Sequence, residues 1–160
     1  MSDISELIPK DYIPEGFKPE KLDINNLLTK ALNNDNNETI MKLDKATISK
    51  YKNDILQKLQ LGRDELKKLT KKLKEYRYIS DISELNYGSF IRYINLGNTD
   101  NIKLTNGGVM LDIKFYNSGI ILQCKNFMNR LFTVRFDECL IFQKITNEEK
   151  VLLDVIDYIK

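Results

Sequence analysis

Gly108-Val109-Met110-Leu111-Asp112-Ile113-Lys114-Phe115-Tyr116-Asn117-Ser118-Gly119-Ile120-Ile121-Leu122-Gln123-Cys124-Lys125 is the stretch that decides the fold. Apolar and polar residues alternate on both sides of Asn117-Ser118-Gly119, and successive side chains of a strand point to opposite faces. Asn and Gly accept positive φ at low cost, so the central tripeptide predicts a tight hairpin. Val109, Leu111, Ile113 and Phe115 are then expected on one face of the first strand, with Ile120, Leu122 and Cys124 on the matching face of the second. The pattern extends outward over residues 86–145, where β-branched and aromatic residues rise. Strands are predicted at Ser89–Leu96, Gly108–Tyr116, Gly119–Lys125, Leu131–Phe136 and Leu140–Lys144. Phe132, Val134, Phe136, Leu140 and Phe142 complete the expected core. Asp112, Lys114, Gln123, Lys125, Thr133, Arg135 and Gln143 fall on the opposite faces. Five such strands fit a small, strongly bent antiparallel barrel of SH3, Tudor or OB type. Asn106-Gly107-Gly108 is read as a sharp corner or bulge. It lacks the Gly-Lys-Ser/Thr of a phosphate loop, and a strand follows where a helix N-terminus is needed.

Upstream, over residues 39–79, the spacing becomes helical. Ile48, Ile55, Leu59, Gly62, Leu66, Leu69, Leu73 and Tyr76 recur in steps of seven, four, three, four, three, four and three. That is a heptad seam without proline, and it predicts one long amphipathic, coiled-coil-like helix. Ile48, Ile55, Leu59, Leu66, Leu69, Leu73 and Tyr76 are its expected association seam, and Gly62 leaves room for close approach of a partner. Lys52 occupies a core position and weakens a dimer. Lys58 facing Arg63, and Lys72 facing Arg77, disfavour a parallel pair, so an antiparallel homodimer is expected first, with packing on a helix of the same chain as the alternative. Residues 1–38 read as an arm interrupted by Pro9, Pro14 and Pro19, with a short helix from Pro19 to Leu32 that Asn33–Asn37 ends. Residues 147–160 form a C-terminal helix capped by Thr146 or Asn147. The hexapeptide Ser-Asp-Ile-Ser-Glu-Leu occurs at 2–7 and 80–85, and is read as a recurring helix-start pattern, not a repeat. The fold class is therefore α+β: arm, long helix, five-stranded SH3/Tudor-like barrel, C-terminal helix.

The chain has 160 residues, 25 Lys+Arg, 23 Asp+Glu and no His. Histidine-based acid/base chemistry, Ser-His and Cys-His nucleophiles and His-containing metal sites are excluded. Cys124 and Cys139 are too few for a thiolate zinc site. They are expected to be free, buried thiols in a reducing compartment, with a cross-strand disulfide as the alternative. The start Met1–Glu6 lacks a basic leader and apolar core, so secretion is not expected, and no run of about 18 apolar residues predicts a membrane span. Asp137-Glu138 and Glu148-Glu149 lie in a turn and a helix start and need no catalytic role. No catalytic, cofactor-binding or metal-ligating residues are predicted, and the chain is not expected to be an enzyme. Charge is unevenly spread. Residues 45–77 hold eleven basic and four acidic side chains, net +7, which leaves −5 for the rest. Lys67, Lys68, Lys71, Lys72, Lys74 and Arg77 lie off the seam, and Arg92, Lys114, Lys125 and Arg135, with Tyr93 and Tyr116 near, are expected on an outer barrel face. These ten cations are the candidate nucleic-acid contacts.

Phe90-Ile91-Arg92-Tyr93, Thr105–Leu111, Ile121-Leu122, Phe132-Thr133-Val134-Arg135 and Ile141-Phe142-Gln143-Lys144 together resemble small β-barrel proteins of giant (nucleocytoplasmic large) DNA viruses, over roughly residues 86–145. Phe132 stands where that pattern has Trp. The resemblance implies a virus-encoded virion component or assembly factor in the virion or host cytoplasm, and supplies no catalytic residues. The expected function is a non-enzymatic structural or assembly protein. It would form a homo-oligomer or join other structural proteins through its helix, with the barrel as a docking module. The alternative is a nucleic-acid-binding module using the basic helix and the barrel's Arg/Lys face.

Overall fold

The computed structural model describes residues 44–97 and 100–159. The expected arm, its short helix, the first hexapeptide and the start of the long helix lie outside these residues. Two compact units divide the chain, Tyr51–Lys144 and Met1–Lys50 with Ile145–Lys160.

The first unit is built on β1 (Tyr76–Ile79), β2 (Phe90–Asn95), β3 (Gly108–Tyr116), β4 (Gly119–Lys125), β5 (Leu131–Arg135) and β6 (Cys139–Lys144). All neighbours are antiparallel, in the order β1-β6-β2-β3-β4-β5. Each of the five predicted strands is present, and the α+β class holds. The Asn117-Ser118 turn closes β3 on β4, with Tyr116 opposite Gly119. The sheet differs from the expected barrel in having six strands and staying open, with β1 and β5 as its edges among the described residues. Its inner face holds Ile79, Leu85, Ile91, Met110, Leu122, Cys124, Val134 and Ile141.

Strict alternation fails in β3. Val109 to Met110 and Asp112 onward pair with β4 in different registers, so Leu111 is a bulge. Met110 is fully buried in place of Leu111, which is 45% exposed, and Phe115 at the strand end is 69% exposed. Gly107 and Gly108 fit this close corner. A Cβ on Gly107, at φ +73, would lie 1.8 Å from the Ile91 carbonyl oxygen, and one on Gly108 would lie 2.4 Å from that of Lys125. Strand β6 is central and buried on both faces: Ile141 joins the inner core, Leu140 and Phe142 the outer one. Gln143, expected on an exposed face, is also fully buried.

The single long helix is not formed. Two shorter helices replace it, α1 (Lys45–Gln57) and α2 (Arg63–Lys72), and the segment expected as its last turn is β1. The backbone N–H groups of Leu59 and Gln60 bond to the carbonyls of Leu56 and Gln57, tightening the end of α1. Gln60 then turns to φ +55 and Gly62 caps α2 in an extended conformation. Among the described residues no atom lies within 4 Å of a Cβ built on Gly62. Asp64 and Glu65 in the first turn of α2, and Lys71 and Lys72 in its last, complement the helix dipole.

The apolar teeth of these helices find a mate within the chain. Leu56, Leu69 and Leu73 are buried with Ile94, Leu104, Leu140 and Phe142, and Ile55, Leu59, Leu66 and Tyr76 pack on the same cluster half-buried. Lys52 explains its own place in the seam. It is 6% exposed, and its Nζ donates to the carbonyls of Leu73 at 2.8 Å and Tyr76 at 3.0 Å. A cation thus meets the C-cap carbonyl of α2, where the dipole is negative, and the first carbonyl of β1.

In the other unit, α3 (Asn147–Ile159) starts with a capping box. Thr146 Oγ1 accepts from the Glu149 N–H at 3.2 Å and Glu149 Oε1 accepts from the Thr146 N–H at 3.0 Å. Val151, Leu152, Leu153 and Val155 are buried, and Lys45 pairs with Asp154. Ile48, an expected seam residue, is 5% exposed.

Candidate interaction surfaces

The connection from β4 to β5 is short and tightly bonded. Asn126 Oδ1 accepts from the N–H groups of Met128 at 2.9 Å and Arg130 at 3.0 Å. Its backbone N–H donates to the Arg130 carbonyl, and its carbonyl accepts from Asn129, both at 3.0 Å. Asn129 sits at φ +61, a conformation Asn tolerates. This turn holds its two central side chains outward: Phe127 is 83% exposed and Met128 58%. Leu131, the first residue of edge strand β5, is 75% exposed. Three large apolar side chains in five residues thus stand in water on a bonded scaffold, the arrangement of an interaction site more than of a loose loop. The sequence reading passed over them as a break between strands. The available signal was Asn at both ends of a Phe-Met pair, since a turn set by its own amides cannot bury what lies between them.

The ten predicted cations do not form one surface. Register places Lys114 opposite Ile121 and Ile121 opposite Arg135, while Lys125 lies between Val109 and Leu131. Lys114, Lys125 and Arg135 therefore share the outer face of β3–β5, with Asp112 in the row between them. Arg92 is half-buried on β2 and its Nε donates to the Thr105 carbonyl at 2.8 Å. Tyr93 faces the opposite way, into the inner core, stacked on Phe132 at 6.2 Å. Lys67, Lys68, Lys71, Lys72 and Lys74 are exposed.

Arg77, expected as a nucleic-acid contact, is instead buried within the fold. It is 2% exposed on the inner face of β1. Its Nη1 donates to Glu84 Oε2 at 3.3 Å and its Nη2 to the Glu84 carbonyl at 3.1 Å. The register partner of Arg77 is Gln143, whose Oε1 accepts from the Asn86 N–H at 2.8 Å and whose Nε2 donates to the Glu84 carbonyl at 3.4 Å. The second hexapeptide supplies the local geometry: Asp81 caps the short 3₁₀ turn Ile82–Glu84 in a capping box with Glu84. This second copy of the motif starts a 3₁₀ turn. Arg77, Glu84 and Gln143 form a polar bracket that ties the 80–86 segment to β1 and β6.

Cys124 and Cys139 are free, on strands that are not neighbours, so the cross-strand disulfide is not made. Burial pushes the Cys124 thiol up to about 12 and that of Cys139 up to about 11, the latter helped by Glu138. Neither is poised as a nucleophile at neutral pH. Among the described residues, no three His, Cys, Asp or Glu side chains come together as a metal site. No described helix is long and apolar enough to cross a membrane.

Fold and surface define an α+β protein whose open antiparallel sheet is backed by two helices and carries an apolar turn beside β5, an edge strand among the described residues. No family model, curated protein or solved structure matches the chain.

Proposed function

We propose that the protein is a non-enzymatic structural or assembly component that docks onto a second copy of itself through β5 and the turn before it. The observation that carries this reading is the exposure of Phe127, Met128 and Leu131 beside an edge strand. Edge strands in monomers are guarded by Pro, Lys, bulges or inward charges. Leu131-Phe132-Thr133-Val134-Arg135 holds no Pro, Lys or bulge, and its one charge, Arg135, stands at its last residue on the outer face. Antiparallel pairing of two such strands about Thr133 sets Leu131 against Arg135 of the second copy and Phe132 against Val134, with no like charges opposed. The sheets would then run on across the pair, and the two apolar turns would flank the junction.

Association moves in this reading from the helix to the sheet, because the helical teeth are consumed inside the chain. The resemblance to small barrels of giant DNA viruses supports a place in a virion or in its assembly. Light scattering on the purified chain tests the reading. The expected result is a dimer or larger species that Phe127→Asp with Leu131→Asp converts to a monomer with an unchanged melting temperature. A wild-type chain that stays monomeric at every concentration reached would overturn it.

A further inference from the structure

Arg63, Lys67, Lys71 and Lys74 follow one another at intervals of four, four and three along α2 and the turn after it. At about 100° per residue Arg63, Lys67 and Lys71 fall within about 80° of one another around the helix, and Lys74, just past its end, lines the same recess. Four residues of helix rise about 6 Å, so the charges form an evenly stepped row. Together with Leu66 and Thr70 they line a single open recess of about 580 Å³. All four are exposed, and no carboxylate among the described residues pairs with any of them. Asp64 and Glu65 occupy the first turn outside this row.

We infer that this row is a binding site for the phosphate backbone of a nucleic-acid duplex, read without regard to sequence. The chemistry argues against the other polyanions. A membrane-surface helix must free its apolar face to insert. In α2 that face is spent, with Leu69 and Leu73 buried against the sheet. An acidic protein partner needs an apolar or aromatic anchor at the centre of the contact, and among the described residues the recess offers half-buried Leu66 and exposed Thr70. A single strand is held by aromatic stacking, and among the described residues no aromatic side chain lines the recess. Long, flexible cations in line, over a floor of methylene stems, match a surface of closely spaced phosphates. The sheet cations are a poorer candidate, since Asp112 stands between Lys114 and Lys125.

Fluorescence anisotropy of a labelled, mixed-sequence DNA duplex titrated with the full chain tests this. Four phosphate contacts give a slope of log K against log salt of about −3.6, so affinity falls about 100-fold between about 50 mM and about 200 mM salt. Replacing Arg63, Lys67, Lys71 and Lys74 together by Gln should abolish binding while leaving the circular dichroism melt in place. Should that variant not fold, Lys71→Gln alone should reduce the slope by about 0.9. Lys114→Gln with Lys125→Gln and Arg135→Gln should leave the slope unchanged. Absence of binding at the lower salt overturns the assignment. So does loss of binding in the sheet variant but not in the row variant, tighter binding of a single strand of equal length, or equal competition by polyglutamate.

Discussion

Replacing Glu84 by Gln isolates what the polar bracket contributes. The change keeps size and shape and removes one negative charge facing Arg77, which is 2% exposed against 19% for the Glu84 side chain. Stripping one partner from a buried ion pair costs about 3–5 kcal/mol, because a charge is left without its counter-charge. Two features reduce this. Glu84 is partly in water, and its main-chain carbonyl still accepts from Arg77 Nη2 at 3.1 Å. The expected loss is therefore about 2–3 kcal/mol. For a chain of this size each kcal/mol lowers the melting temperature by about 2–4 °C, so a drop of about 4–12 °C is expected by calorimetry. Arg77→Met removes the buried charge itself. The double variant Arg77→Met with Glu84→Gln should then be more stable than the two single losses summed, and urea titrations of all four proteins give that coupling directly. A Glu84→Gln protein within about 0.5 kcal/mol of wild type, or singles that simply add, would refute the bracket as the element that closes this end of the sheet.

Lys52→Met keeps the length of the side chain but leaves the carbonyls of Leu73 and Tyr76 without their charged donor; a loss of about 1–3 kcal/mol is expected in urea titrations. Gly107→Ala forces a Cβ to within 1.8 Å of the Ile91 carbonyl oxygen at a φ of +73, and should cost about 3 kcal/mol or more, seen as insoluble expression or early melting. Alkaline pH should weaken the fold. Cys124, Cys139, Tyr76, Tyr78 and Tyr93 all hold their protons more tightly when folded, chiefly through burial. Their contribution is whole below the unfolded thiol value of 9.0 and is lost as pH climbs through about 11 for Cys139 and about 12 for Cys124. Lys52 works the other way: burial lowers its folded value, so its contribution grows as pH rises toward 10.5. With five groups against one, the urea midpoint should fall from pH 9 upward, and Cys124→Ala should flatten that fall.

Five of the six strands were legible because what defines them is local; β1 was hidden in the apparent helical seam. A period of two and the Asn117-Ser118-Gly119 turn placed the bounds of β3 and β4 at the observed residues. The bulge at Leu111 was not legible, because its cause lies elsewhere in the chain: Met110 bonds through its N–H to the Ser89 carbonyl and through its carbonyl to the Gly88 N–H. Those two bonds hold Met110 inward, and the alternation restarts one residue late. Gln143 and Arg77 were misplaced for a related reason. Neither carries a local sign of burial, and both are buried only because the 80–86 segment brings Glu84 and the Asn86 N–H to meet them.

The heptad seam misled for a deeper reason. A spacing of three and four records only that one face of a helix is apolar; it is silent on whether the mate is another helix or the back of a sheet. Both mates ask for the same leucines. What separates them is the residue that breaks the pattern. A lysine at a core position is a defect in a two-helix seam, yet in a hairpin it can reach the carbonyl end of the second helix, as Lys52 does. Leu59-Gln60-Leu61-Gly62 supplies the turn that such a reach requires. An internal lysine followed by glycine within one heptad run therefore argues for a folded-back pair of helices, and the surface left for partners must be sought where no such pairing exists, on the sheet edge and on the cationic side of α2.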